Sequence, residues 1–199
     1  MDMIQEAMEL AKAVFAGDSG GHDLDHTLRV YRMARHIAQA EGADPEVVSL
    51  AALLHDVDDH KLSPETCAGK TRAADFLHRQ NLDEERIREI LTIIERISYS
   101  ANAGAQETLE GKCVQDADRL DALGAIGIAR TFAYGGSKGR RIHDPAGEDK
   151  TTSVQHFYDK LLRLADLMTT STGRELAHRR HIFMEEFLAR CYGEWAGEI

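Results

Sequence analysis

Histidine stands directly before aspartate at three places in this chain: His22-Asp23, His55-Asp56 and His143-Asp144. Imidazole and carboxylate together form a donor set that suits a divalent cation. Chance alone predicts roughly one such pair in a chain this rich in both residues, so the dipeptide says little by itself. Position separates the copies. His22-Asp23 precedes a helix, where Asp23 is an ordinary N-cap candidate. His143-Asp144 lies in a polar loop. His55-Asp56 closes the apolar run "LAALLHDVDDH". At helical spacing, His55 shares a stripe with Val48, Ala51 and Ala52, and Asp56 adjoins Ala52 and Leu53, so both should project inward. A buried aspartate needs a strong partner.

Two further helices aim polar groups the same way. His26 continues the stripe of Val30, Met33 and Ile37, and Asp118 stands in register with Ala122, Ala125 and Ala129. Taken singly, His26 reads as an ordinary hydrogen-bonded core histidine, and Asp118 as a helix-end carboxylate paired with Arg119 or another base. Taken together, two imidazoles and two carboxylates suit an octahedral divalent ion with open water positions. A structural zinc site is disfavoured, because no cysteine lies near these positions.

The elements that must position these groups are helical throughout. The 3.6-residue period predicts helices near 2–16, 24–41, 45–57, 65–80, 83–98, 112–133, 151–169 and 173–191, with no sustained strand alternation. The three prolines, Pro45, Pro64 and Pro145, fall at helix starts or in loops. Residues 134–150, "YGGSKGRRIHDPAGEDK", read as one long loop rich in glycine and charge. The expectation is a single all-α domain over residues 1–199, its site-bearing core at about 20–133 and C-terminal helices at about 151–191 packing on it.

Composition narrows the partners. With 199 residues, 43% of them hydrophobic, the chain is ample for a sizeable core. Acidic residues outnumber basic ones 34 to 24, for a net charge of −10, which argues against a nucleic-acid polymer. No apolar run approaches the roughly 18 residues of a membrane span, and the acidic start "MDMIQEAMELAKAVF" lacks the basic region of a signal peptide. Cys67, Cys113 and Cys191 are odd in number and widely spaced, as expected of reduced thiols in a cytoplasmic protein.

The order His26, His55-Asp56, Asp118 resembles that of the HD-domain superfamily of metal-dependent phosphohydrolases. The segments "GHDLDHTLRVYRMARHIA", "AALLHDVDDHK", "VQDADRLDALGAIGIARTFAYGG" and "SVQHFYDKLLRLADLMTTSTGRELAHRRHIFMEEFL" are together similar to a small bacterial subgroup of stand-alone HD proteins, over about residues 20 to 190. The resemblance implies an HD-type helical bundle and metal ligands at His26, His55, Asp56 and Asp118. Asp118 is preferred to Asp116 and Asp121 because it precedes the basic residue of "ADR". It implies a catalytic acid or base at Asp59, where a glutamate is common in related enzymes. Two-metal relatives carry extra histidines between the HD pair and the last aspartate; only His60 and His78 lie there, and His78 reads as a surface residue, so one metal is expected. Mn²⁺ is favoured, with Mg²⁺, Co²⁺, Ni²⁺ or Fe²⁺ as alternatives.

Magnitudes support a metal mechanism. Phosphate ester hydrolysis calls for up to ~10²¹-fold acceleration, and positioned acid–base groups supply only ~10²–10⁴-fold. A cation that lowers the pKa of its water from ~15.7 to as low as ~7 supplies what they lack. Lys61, Lys138, Arg140, Arg141, Lys160 and Arg180 are the candidates for holding phosphates, the glycine-rich "SKGRR" being locally cationic. The leading expectation is a (d)NTP pyrophosphohydrolase. The alternatives are a nucleoside monophosphatase or phosphodiesterase of the same superfamily, and a non-catalytic nucleotide-sensing module; a homodimer stays open.

Overall fold

Eight consecutive residues, Val47 to Leu54, are all buried. A helix apolar on every side must be surrounded, and this one, α3 (Pro45–Leu54), packs against α1 (Met3–Val14), α2 (Leu24–Glu41) and α5 (Glu84–Arg96). Its start is written locally. Pro45 occupies the first turn, where its missing N–H costs nothing, and the Asp44 carboxylate accepts from the amides of Glu46 at 2.8 Å and Val47 at 3.3 Å. Asp44 and Glu46 also pair with Arg86 of α5.

The computed structural model describes residues 2–16, 23–59, 63, 65–67, 69–97 and 106–198. The expectations for His22, His60, Lys61 and Pro64 fall outside the described residues. Every regular element among the described residues is helical, as the periodicity predicts. None of these helices is long and apolar enough to cross a membrane. The remaining helices are α4 (Thr71–Arg79), α6 (Leu109–Asp121), α7 (Gly124–Ser137), α8 (Ser153–Asp159) and α9 (Ser171–Ala196). Two compact units result, Met1–Asp118 and Arg119–Ile199, with the division falling inside α6.

In the first unit, α2 starts at an Asp23 cap and ends at Gly42, whose φ of 80° is the left-handed stop that glycine favours. Polar side chains fix α6. Glu110 accepts from the Asp44 amide at 3.0 Å, and Gln115 donates to the Arg96 carbonyl at 3.2 Å. The three cysteines are free, and burial pushes the Cys113 thiol up to about 12, so it stays protonated at neutral pH.

Four expectations of the sequence need correction. Helix α3 ends at Leu54, because tighter bonds from Val57 to Leu54 and from Asp59 to Asp56 take over. The helix expected at 65–80 begins only at Thr71, since Lys70 adopts a left-handed φ of 48° that no α-helix continues through. The single helix expected over 112–133 is two. Gly124 has φ +71°, and the helix is interrupted at Ala122–Leu123. Ala125 and Ala129, read as an inward face with Asp118, are exposed, while Gly124, Gly127 and Ile128 are buried instead. Gly127 lies against the Ala122 carbonyl, where a Cβ would come within 2.2 Å of the oxygen. The helix expected over 151–169 stops at Asp159; Lys160 leaves helical backbone, and 3₁₀ turns follow at Leu161–Arg163 and Ala165–Leu167.

Within the second unit, α7, α8 and α9 pack together, with Phe132, Phe157 and Phe187 in mutual ring contact. Residues 138–152 form an ordered loop. The Asp144 carboxylate accepts from the amides of Glu148 and Asp149 and pairs with Arg141 at 3.1 Å.

Because α3 is enclosed on all sides, Leu50→Ala should leave a cavity. A loss of about 2–5 kcal/mol is expected, read as a lower urea midpoint at unchanged m-value.

Candidate metal centre

The Asp23 side chain accepts from the backbone N–H of His26 at 2.8 Å, so the cap that starts α2 also fixes the turn on which His26 sits. His26 is buried and begins the inward stripe through Val30, Ala34 and Ile37. His55 occupies the C-cap of α3 and is buried as well. Its Nδ1 lies 2.8 Å from the Ala52 carbonyl oxygen. A carbonyl only accepts, so Nδ1 carries the proton, and in the neutral ring Nε2 keeps its lone pair. Asp118 comes from α6, little more than two turns after the Glu110 contact that anchors that helix.

These groups converge. One ligand atom each from His26, His55 and Asp118 lie within 4.8 Å of one another. Nε2 of His26 stands 3.4 Å from Asp118 Oδ1 and 3.6 Å from Asp56 Oδ2. Asp56 Oδ2 is 3.2 Å from His55 Nε2, and the two imidazoles meet edge-on with centroids 5.4 Å apart. The His55 Nε2 atom is fully buried. Two imidazole nitrogens and two carboxylates sharing so small a volume are a donor set that fits a divalent cation. Among the described residues no second group of three such ligands gathers in this way. His78 is exposed and faces Glu84.

Electrostatics reinforce the fit. Burial pushes the Asp118 carboxyl up, but the hydrogen bond and charge of His26, with the charge of His55, outweigh it and hold the group below the usual carboxylate range. Burial pulls the His55 imidazole down, yet the charge and hydrogen bond of Asp56 raise it above its ordinary value. The carboxylates thus draw positive charge into the site, and a cation bound between them and the imidazoles must displace protons.

The acidic run after His55 divides its labour in a way the sequence did not reveal. Asp58 is fully buried. Its carboxylate accepts from the amides of Arg72 at 3.3 Å and Ala73 at 3.0 Å, capping α4 from fourteen residues upstream. Arg72 answers by donating to the Val57 carbonyl and to Ser63 Oγ. No sequence signal marked this role, because Thr71 reads as the cap, whereas the cap position is Lys70, whose side chain makes no cap bond. Asp59 is half-buried, its amide donating to Asp56 O at 3.0 Å.

The basic candidates fall in the second unit, apart from Lys61. Lys138, Arg140 and Arg141 are exposed on the 138–152 loop, and Lys160 caps α8. Arg180 is half-buried and donates to the Leu120 carbonyl at the end of α6, with its stem against Gly124. Arg119 donates to the Leu167 carbonyl.

Residues 23–123 match the HD domain, and the chain belongs to the HD domain family. It is 41% identical over 180 residues to the protein YpgQ of Bacillus subtilis, covering 89% of this chain and 86% of that one. It is similar in structure to an HD-superfamily hydrolase from Bacillus thuringiensis, with a TM-score of 0.83 and 44% identity over 97% of this chain and 96% of that one. Bacillus subtilis YpgQ in complex with ADP matches with a TM-score of 0.80 and 38% identity, over 97% of this chain and all of the other.

Two substitutions separate ligand from scaffold. His55→Ala should abolish uptake of Mn²⁺ in calorimetry while circular dichroism stays close to that of the parent. Asp58→Ala should keep the donor set but leave the buried Ala73 amide and the half-buried Arg72 amide unsatisfied, at about 1–3 kcal/mol of unfolding free energy.

Proposed function

We propose that this HD-family hydrolase is a metal-dependent phosphohydrolase of nucleotides that cleaves (d)NTPs to monophosphate and pyrophosphate. The convergence of His26, His55, Asp56 and Asp118 carries the reading. The complex of YpgQ with ADP supports the nucleotide. In the proposed assignment these four side chains hold one divalent ion, Mn²⁺ being favoured. Bound there, such an ion lowers the pKa of a water from ~15.7 toward ~7 and polarises a phosphoryl oxygen.

The chain's own groups supply the rest. The Nδ1–H···O=C bond to Ala52 keeps the lone pair of His55 on Nε2, directed at the site. Asp56 and Asp118 bring negative charge that offsets the cation. Asp59, one short turn beyond Asp56, is assigned to proton transfer. Its carboxylate is shorter than the glutamate common in related enzymes, so its reach is set by the tight Asp56–Asp59 turn. Lys61 and the basic groups of the second unit remain the candidates for phosphate contacts.

The test is product identification with a panel of nucleotides under Mn²⁺, Mg²⁺ and Co²⁺, after metal analysis of the purified protein. Pyrophosphate with a monophosphate is the expected pair, whereas free nucleoside would point to a monophosphatase. Nucleotide binding without any phosphate product, whatever the metal, would leave a sensing module and sink the proposal. Asp59→Asn should lower kcat by about 10²–10⁴-fold with metal content unchanged.

A further inference from the structure

Helix α9 runs for 26 residues and buries one side of itself. Gly173, Ala177, Met184 and Leu188 recur at helical spacing and are all buried, so they mark the face turned into the second unit. At roughly 100° per residue, Glu175, Arg179, Ile182, Phe183, Glu186 and Arg190 share a stripe on the outer side. All six are exposed. Two large apolar residues stand at its middle, Ile182 with 41% and Phe183 with 47% of its surface in water. Single exposed apolar residues are common. What sets this pair apart is the charge on either side of it.

Toward the N-terminus the stripe meets Arg179 and then Glu175; toward the C-terminus it meets Glu186 and then Arg190. Position for position, the two arms carry opposite signs. A half-turn about an axis through the apolar pair therefore lays Arg179 on Glu186, Glu175 on Arg190 and Ile182 on Phe183. A surface complementary to its own two-fold image is what a contact between identical chains requires. Other arrangements conflict with the same pattern. Parallel helices in register would set each charge against its own copy. An antiparallel pair slipped by one turn would set Glu175 against Glu186, or Arg179 against Arg190. Like charges brought together are unfavourable, so the pattern selects one orientation and one register.

We infer that the outer face of α9 is an interface between two copies of this chain, packed antiparallel about Ile182 and Phe183. Arg179 faces Glu186 of the partner subunit, and Glu175 faces Arg190 of the partner subunit. Within one chain Glu175 and Arg179 already pair at 2.5 Å, an exposed contact worth little by itself. Across the axis each such pair joins two further charges in an alternating network. The stripe is neutral, with two positive and two negative groups, on a chain whose net charge of −10 otherwise keeps copies apart. It runs about 22 Å along the helix. One helix pair of that length is a small contact, so the dimer is a weak one. No residue of the stripe is a candidate metal ligand or phosphate contact.

Sedimentation equilibrium of the full chain, carried to about 1 mM, tests the inference. The parent should show a reversible monomer–dimer equilibrium. Arg179→Glu alone and Glu186→Arg alone should each weaken it by about tenfold or more, because the two-fold axis doubles every clash. Mixing the two single variants in equal amounts should restore association, since each then offers the charge that the other lacks. Both positions are exposed, so circular dichroism of the variants should match that of the parent. A parent that stays monomeric at the highest concentration would overturn the inference and leave this face to a different partner. A dimer indifferent to both variants would do so too, because it uses another surface. Single variants that weaken association without recovering on mixing would rule out the antiparallel register.

Discussion

Two carboxylates held close to two buried imidazoles make up the constraint to which the first unit answers. Taking an aspartate away from water costs several kcal/mol unless positive charge accompanies it. Asp56 and Asp118 are both placed where His26 and His55 supply some of that charge. Burial works against protonated imidazoles, although the charge of Asp56 leaves His55 above its ordinary value. A divalent ion supplies that charge well, and the ring orientations already suit one. The enclosed α3, the Asp23 cap and the side-chain anchors of α6 are what hold this costly arrangement together.

Much of this was legible in the sequence where caps and apolar stripes agree. Helix α2 runs over the predicted residues because Asp23 and Gly42 mark its two ends. The inward aim of His26 and His55 follows from the spacing of Val30, Ile37, Val48 and Ala51, all of them buried. The failures share a cause. Periodicity reads which face is apolar and is blind to a single backbone angle. The break after Asp121 depends on φ at Gly124, so the sequence fused α6 with α7 and assigned Ala125 and Ala129 to the wrong face. Asp118 nonetheless lies beside His26 and His55; the family pattern pointed to it independently of that mistaken register.

Long-range use of short polar side chains was the other blind spot. Asp58 looked like one more charge in an acidic run and is a buried cap. His143-Asp144, read as an incidental pair, does two separate structural jobs. The His143 ring packs edge-on against Tyr192 and Trp195, and the Asp144 carboxylate organises its loop, held below its usual range by the Asp149 and Glu148 amides and by Arg141. One dipeptide thus serves as a helix start, a candidate ligand pair and a loop clasp in a single chain.

The bond between Asp58 and the first turn of α4 bears on motion as well as on stability. The turn of residues 55–59 and the start of α4 hold each other through Asp58 in one direction and Arg72 in the other. Neither can fray alone. Amides at the head of α4 should then exchange with solvent at the rate at which the turn bearing His55 opens, making a helix with no ligand of its own a reporter of local opening at the metal centre.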